Sequence, residues 1–148
     1  MVLVLGFGNI TRGDDAAGWE VARRIGIRQI PGVETRTLQQ LQVELVEEWG
    51  SYDKVLFIDA DPQGERVVIE KVDPKATASA STHHLSPEAL LQLSSLLYGK
   101  TPKLYLCRVP ARIFDFTEKY SPLTRQSLDE AVEAALEWIN EQSGAHKE

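Results

Sequence analysis

Two acidic clusters follow apolar runs in this chain. Asp14 and Asp15 lie behind VLVLGFGNITRG, and Asp59 with Asp61 closes KVLFIDAD. Carboxylates brought together repel one another unless a proton or a cation sits between them. A metal ion is the usual cation. The chain has three histidines. His146 is in the C-terminal tail, whereas His83 and His84 adjoin in THHLSP. Two carboxylates and one imidazole around an ion leave positions open for water and substrate, which is the layout of a catalytic rather than a closed structural centre. Such an ion polarises a carbonyl and lowers the pKa of a bound water. On residue types alone the choice stays open between Asp14 and Asp15, between Asp59 and Asp61, and between His83 and His84.

Each residue also has a plainer role. An aspartate beside a helix start commonly caps it, a strand-terminal aspartate commonly forms a turn, and a histidine pair before a helix commonly lies at the surface. Gly6, Gly8 and Gly13 suit a tight turn under any function. Cys107, the single cysteine, stands among apolar neighbours and reads as core. The case for chemistry rests on convergence. In an open α/β sheet, ligands bind beyond the carboxyl ends of the strands where strand order reverses. If the strands ending at 5 and 60 are neighbours, both acidic clusters reach one crevice.

The elements that must position these groups follow from the apolar pattern. Residues 2–5, 54–60 and 103–109 are continuous apolar runs expected to be buried strands. Residues 33–38 alternate as a half-exposed strand, and 66–72 form a further one. A helix is expected over 15–28, with Ala17, Val21 and Ile25 inward, and another over 40–49 with Leu41, Leu45, Val46 and Trp49 on one face. The small, polar stretch 73–82 reads as a loop long enough to move. Ser86-Pro87 and Ser121-Pro122 are N-cap and first-turn signals. The first opens a helix running to Gly99. The second opens one with Leu128, Val132, Ala135 and Ile139 inward, before a frayed GAHKE end. The alternation of strands and helices implies a layered α/β domain with a largely parallel sheet. Because only a short link joins 54–60 to 66–72, local rules pair those two strands as a hairpin.

The 148 residues suit one domain, with 43% hydrophobic and 26% charged residues. A net charge of −6 argues against general binding to nucleic acid or anionic membranes. The lone cysteine permits no internal disulfide and fits a reducing compartment. No signal segment and no stretch approaching the ~20 apolar residues of a membrane span is visible, so a cytoplasmic protein is expected. There is no H-E-x-x-H, G-x-S-x-G or Walker loop. Gly6-x-Gly8 hints at dinucleotide binding, but Thr11 occupies the third glycine position and the second strand closes with Thr37 and Leu38 rather than an acid.

The opening LGFGNITRGDDAAGWEVARRI resembles the motif G-x-G-N-x-x-x-x-D-[DE]-G-x-G of the nickel-iron hydrogenase maturation proteases, with Gly6, Gly8, Asn9, Asp14, Asp15 and Gly18 in place. VLFIDA at 55–60, THHLSPEALLQLSSLLYG at 82–99 and VPARIFDFTEKYSP at 109–122 are similar to later segments of that family, so the likeness spans nearly the whole chain. The stretches LQQLQVELVEEW and THHLSPEALL look closest to the subgroup serving bidirectional, NAD-linked hydrogenases. The chain departs from the pattern at Ala16, where most members carry glycine.

The resemblance implies a single three-layer α/β/α domain over 1–148, phosphorylase/hydrolase-like. Its mixed five-stranded sheet would have the order 2-1-3-5-4 with strand 4 antiparallel, which contradicts the local hairpin. It implies Asp15, Asp59 and His83 as the metal-binding and catalytic residues, with His84 as substitute for His83. The metal would be nickel already carried by the hydrogenase large-subunit precursor, the partner whose C-terminal extension is cut, with no organic cofactor. The family carries an aspartic-type label, but water at the metal can attack without a nucleophilic side chain. Two rivals remain: a non-catalytic chaperone or checkpoint for the large subunit, and a Rossmann-like nucleotide binder.

Overall fold

Continuous apolar runs become central strands here because both of their faces are covered. The computed structural model describes residues 1–39, 41–73, 86–99 and 101–144. β1 (Val2–Phe7) leads through a 3-10 turn, Gly13–Ala16, into α1 (Ala17–Ile27). There follow β2 (Val33–Leu38), α2 (Leu45–Trp49), β3 (Lys54–Asp61), β4 (Val68–Lys71), α3 (Pro87–Tyr98), β5 (Lys103–Pro110) and α4 (Pro122–Gly144).

The sheet has the order β2-β1-β3-β5-β4. Pairing is parallel throughout except that β4 runs antiparallel to β5. Side chains alternate across it with period two. Val4, Leu56, Ile58, Cys107 and Val109 face α1 and α4, while Leu3, Leu5, Val55, Phe57 and Leu104 face α2 and α3. The expected inward residues of α1 (Ala17, Val21, Ile25) and of α4 (Leu128, Val132, Ala135, Ile139) are all buried.

The order implied by the family resemblance is the one observed, and the local hairpin is not. β5 lies between β3 and β4, pairing with β3 from Lys54↔Lys103 to Asp61↔Pro110. The short link suggested adjacency, but β3 and β5 carry residues buried on both faces and take the interior, which leaves the partly exposed β4 at the edge. Other boundaries also move. The helix expected from residue 15 begins at Ala17, which leaves Asp15 in the 3-10 turn. The helix expected over 40–49 begins only at Leu45, and the strand expected over 66–72 covers Val68–Lys71.

Both serine–proline signals act as expected. Ser86 Oγ accepts the Ala89 N–H at 3.1 Å, and α3 closes on Gly99 with φ +66°. Ser121 Oγ accepts the Thr124 N–H at 3.3 Å. The loop expected over 73–82 lies outside the described residues beyond Asp73, as do residues 145–148 of the tail. Among the described residues no helix is long and apolar enough to cross a membrane.

Candidate active site

The carboxyl ends of β1 and β3 are side by side, with Gly6 opposite Ile58. The acidic clusters behind both strands therefore open at one edge of the sheet. α1 approaches this edge very closely. A Cβ on Gly18 would overlap the backbone carbonyls of Ile58 and Phe7, so the missing side chain is what lets the 3-10 turn settle over β1 and β3. Gly8 has φ +147°, and a Cβ there would overlap the Asp15 carbonyl. Ala16 meets no such obstacle, since its backbone is already right-handed helical with φ −81°.

The paired acids separate in role. Asp14 is fully buried. Its Oδ2 accepts the backbone N–H groups of Arg112 at 2.7 Å and Ile113 at 2.9 Å and the Ser121 hydroxyl at 2.6 Å; its Oδ1 accepts the Ser121 N–H at 2.8 Å. Burial alone would raise its pKa. The Ser121 hydroxyl and the three N–H groups outweigh that and hold the carboxyl below its ordinary value. Asp14 is thus a buried anion tying the loop after β5 to the turn before α1, with its lone pairs engaged.

Asp15 is the freer neighbour. Half-buried, it accepts one N–H among the described residues, from Asn9 at 3.0 Å. Asn9 is itself folded back, its Oδ1 accepting the N–H and hydroxyl of Thr11 at 2.9 and 2.7 Å.

Asp59 and Asp61 divide similarly. Asp61 Oδ1 accepts the Gln63 N–H at 3.0 Å, forming the turn after β3. Among the described residues, Asp59 Oδ1 accepts the adjacent Ala60 N–H, at 2.8 Å. Burial pushes the Asp59 pKa up to about 7; the negative charges of Asp15 and Asp61 push the same way, and the Ala60 N–H and the charge of Arg108 oppose them. Arg108 stands beside Asp59 in the β3–β5 register and pairs with Glu70 at 3.0 Å. Asp15 is thus close enough to act on Asp59. A half-buried carboxylate pair that forms no ion pair among the described residues has the chemistry of a divalent-cation site.

The structure thereby brings Asp15 and Asp59 to one place and assigns Asp14 and Asp61 to scaffolding. His83 and His84 lie outside the described residues. Among the described residues no group of three His, Cys, Asp or Glu side chains is arranged to hold a metal, so a set of the expected kind needs a ligand from elsewhere. Ser86 opens α3 on the sheet face that Val55 and Phe57 share with Asp59 by strand parity. Cys107 is buried in β5, and burial pushes its thiol up to about 12, so it is core and not a nucleophile.

Two residues of the site were not anticipated. Ser121 was visible only as a helix cap, and its bond to Asp14 crosses most of the sequence. Arg112 showed no local signal. Its guanidinium donates to the carbonyls of Pro62 at 3.2 Å, Gly64 at 2.6 Å and Ala111 at 2.8 Å.

No protein-family model matches the chain, and no curated protein matches it in sequence. Solved structures do match. The chain superposes on a hydrogenase-maturating endopeptidase, HybD, from E. coli with TM-score 0.76 and 22% identity, over 95% of this chain and 93% of that one. A NiFe hydrogenase maturation protease, HycI, from Thermococcus kodakarensis KOD1 matches with TM-score 0.71 and 24% identity, over 92% and 90%. HybD from Thermococcus kodakarensis gives 0.70 and 21%, over 93% and 97%. At these identities the shared property is the fold, in nearly its full length.

Proposed function

We propose that the chain belongs to the nickel-iron hydrogenase maturation proteases, and that it cleaves the C-terminal extension from a hydrogenase large-subunit precursor that already carries nickel. The observation that carries this reading is the pairing of Asp15 and Asp59 at adjacent strand ends, each free of ion pairs among the described residues, on a backbone shared with hydrogenase maturation endopeptidases. Asp15, Asp59 and His83 are the proposed ligands, with His84 as substitute. The likeness of residues 38–49 and 82–91 to one subgroup points to a bidirectional, NAD-linked hydrogenase as the target. The cytoplasm is the proposed location, consistent with a single buried thiol.

The residues suggest a division of labour. Bound nickel would supply Lewis-acid polarisation of the scissile carbonyl and acidify a water. Asp15, oriented by the Asn9 N–H, would present its carboxyl oxygens to the ion at the crevice. Asp59, whose carboxyl is raised by burial and by the neighbouring acids when no cation is present, would gain most from a cation placed between it and Asp15. The glycine-packed backbone beneath keeps the two carboxylates at a set separation.

Incubating the chain with nickel-loaded precursor and weighing the products tests this. The precursor should lose its C-terminal extension, and Asp15→Asn or His83→Ala should abolish the loss while circular dichroism stays unchanged. An unchanged precursor mass with the wild-type chain would instead favour a checkpoint that binds without cutting.

A further inference from the structure

We propose that Arg112 is a positioning residue for the acid pair, setting the separation of Asp15 and Asp59 by holding the elements that carry them. This rests on the endopeptidase reading above. The Arg112 N–H donates to Asp14 Oδ2 at 2.7 Å, and Asp14 immediately precedes Asp15 in the 3-10 turn. The Arg112 guanidinium donates to Gly64 O at 2.6 Å and Pro62 O at 3.2 Å, in the loop that follows Asp59 and Asp61. One residue at the end of β5 therefore grips both acid-bearing segments, one through its main chain and the other through its side chain.

The loop it grips is already a compact unit. Asp61 Oδ1 accepts the Gln63 N–H and Asp61 O accepts the Gly64 N–H at 3.3 Å. The Ala111 N–H donates to Asp61 O at 3.0 Å, so the β5 end meets this turn through its main chain as well as through the Arg112 side chain. Docking such a unit needs donors in a planar fork, which a guanidinium provides and an ammonium does not.

The direction of the bonds matters as much as their number. A guanidinium ordinarily seeks a carboxylate. Arg112 instead donates to carbonyls, and among the described residues it forms no ion pair. It fixes the site without neutralising Asp15 or Asp59, which stay available to a cation. Arg12 acts on the same scaffold from the other side, its Nε donating to Phe114 O at 3.2 Å, but it reaches only the loop after β5.

The test compares wild type, Arg112→Ala, Arg112→Lys and Arg23→Ala, the last removing an exposed arginine bonded to Glu20. Three quantities are measured: kinetics of tail removal from nickel-loaded precursor, melting temperature, and calorimetric titration of the chain with Ni²⁺ alone. Arg112→Ala should lower kcat by about 10–100-fold, the cost of misplacing reacting groups by roughly an ångström. KM should stay within about threefold, and Ni²⁺ affinity should fall about tenfold, the usual effect of losing an outer-shell partner. Arg112→Lys should recover part of both, and Arg23→Ala should match wild type.

Unchanged kcat and Ni²⁺ affinity in Arg112→Ala, with an active wild type, overturn the proposal and leave the endopeptidase reading standing. So does a kcat loss that disappears at an assay temperature well below the variant's melting point. If Arg112→Ala fails to fold, Arg112→Lys decides, and wild-type kcat and affinity in it overturn the proposal. If wild type binds Ni²⁺ but cuts nothing, the endopeptidase reading falls, and the titration alone judges Arg112. A wild-type chain that neither cuts nor binds Ni²⁺ overturns both.

Discussion

Neighbouring carboxylates at 14 and 15 end in opposite surroundings, and the buried one of the two ties folding stability to pH. Asp14 has a folded pKa below its ordinary 3.8. Its stabilising effect is complete above about pH 4 and is lost as pH falls through the folded value. Asp14→Asn places an amide against four donors and should cost about 2–4 kcal/mol, read as a lower denaturation midpoint at pH 7. Asp59 works in reverse. Its pKa rises from 3.8 unfolded to about 7 folded, so between those values the native state binds the extra proton and stability declines as pH rises, levelling off above about 7. Asp59→Asn should abolish that decline and raise metal-free stability at pH 8 by roughly 2 kcal/mol. A large drop in melting temperature would show that Asp59 is structural. The distinction between Asp14 and Asp15 was not legible in GDDA, because the groups that fix it, at 112, 113 and 121, are distant in sequence. The family resemblance selected Asp15; spacing alone left both open.

Elements announced themselves where their signals were local. Ser86-Pro87 carries its own capping bond within α3, and Ser86→Ala should cost about 1 kcal/mol, seen as a small fall in melting temperature. The periodic faces of α1 and α4 were likewise readable. Leu97 was not: it continues the α3 period yet is 60% exposed, while Leu91 is buried. Among the described residues nothing covers the end of that helix, where Leu96 and Tyr98 are exposed as well. The 3-10 turn before α1 was hidden too, because its cause is tertiary: Gly13 and Asp14 donate N–H bonds to Thr117 and Ile113 carbonyls at 2.7 Å. Gly18 is the element-scale hinge of the site. Gly18→Ala drives a methyl into the Ile58 and Phe7 carbonyls and should cost about 1–3 kcal/mol. Tail removal should suffer beyond the stability loss, because the turn bearing Asp15 is lifted from β3.

Across the molecule, one sheet serves two apolar layers. Leu56 faces α1 and α4, and Leu5 faces α2 and α3, both fully buried. Leu56→Ala and Leu5→Ala should each cost about 2–5 kcal/mol. Far- and near-ultraviolet dichroism should still melt together in each, because neither layer can open without exposing the shared strands. Strand types were readable from composition, but strand order was not: β3 and β4 satisfy every local rule for a hairpin, and only the run of apolar pairs between β3 and β5 excludes it.

That order has a consequence for biosynthesis. As the chain leaves the ribosome, residues 68–71 emerge before residues 103–110, yet their ladder partner is the later segment. The nascent chain must carry an unpaired edge past the completed first half and wait for the segment that will slide between. A stalled or truncated product ending before residue 103 lacks both the insert and the edge it secures, and should be a substrate for quality-control proteolysis rather than a partly stable domain.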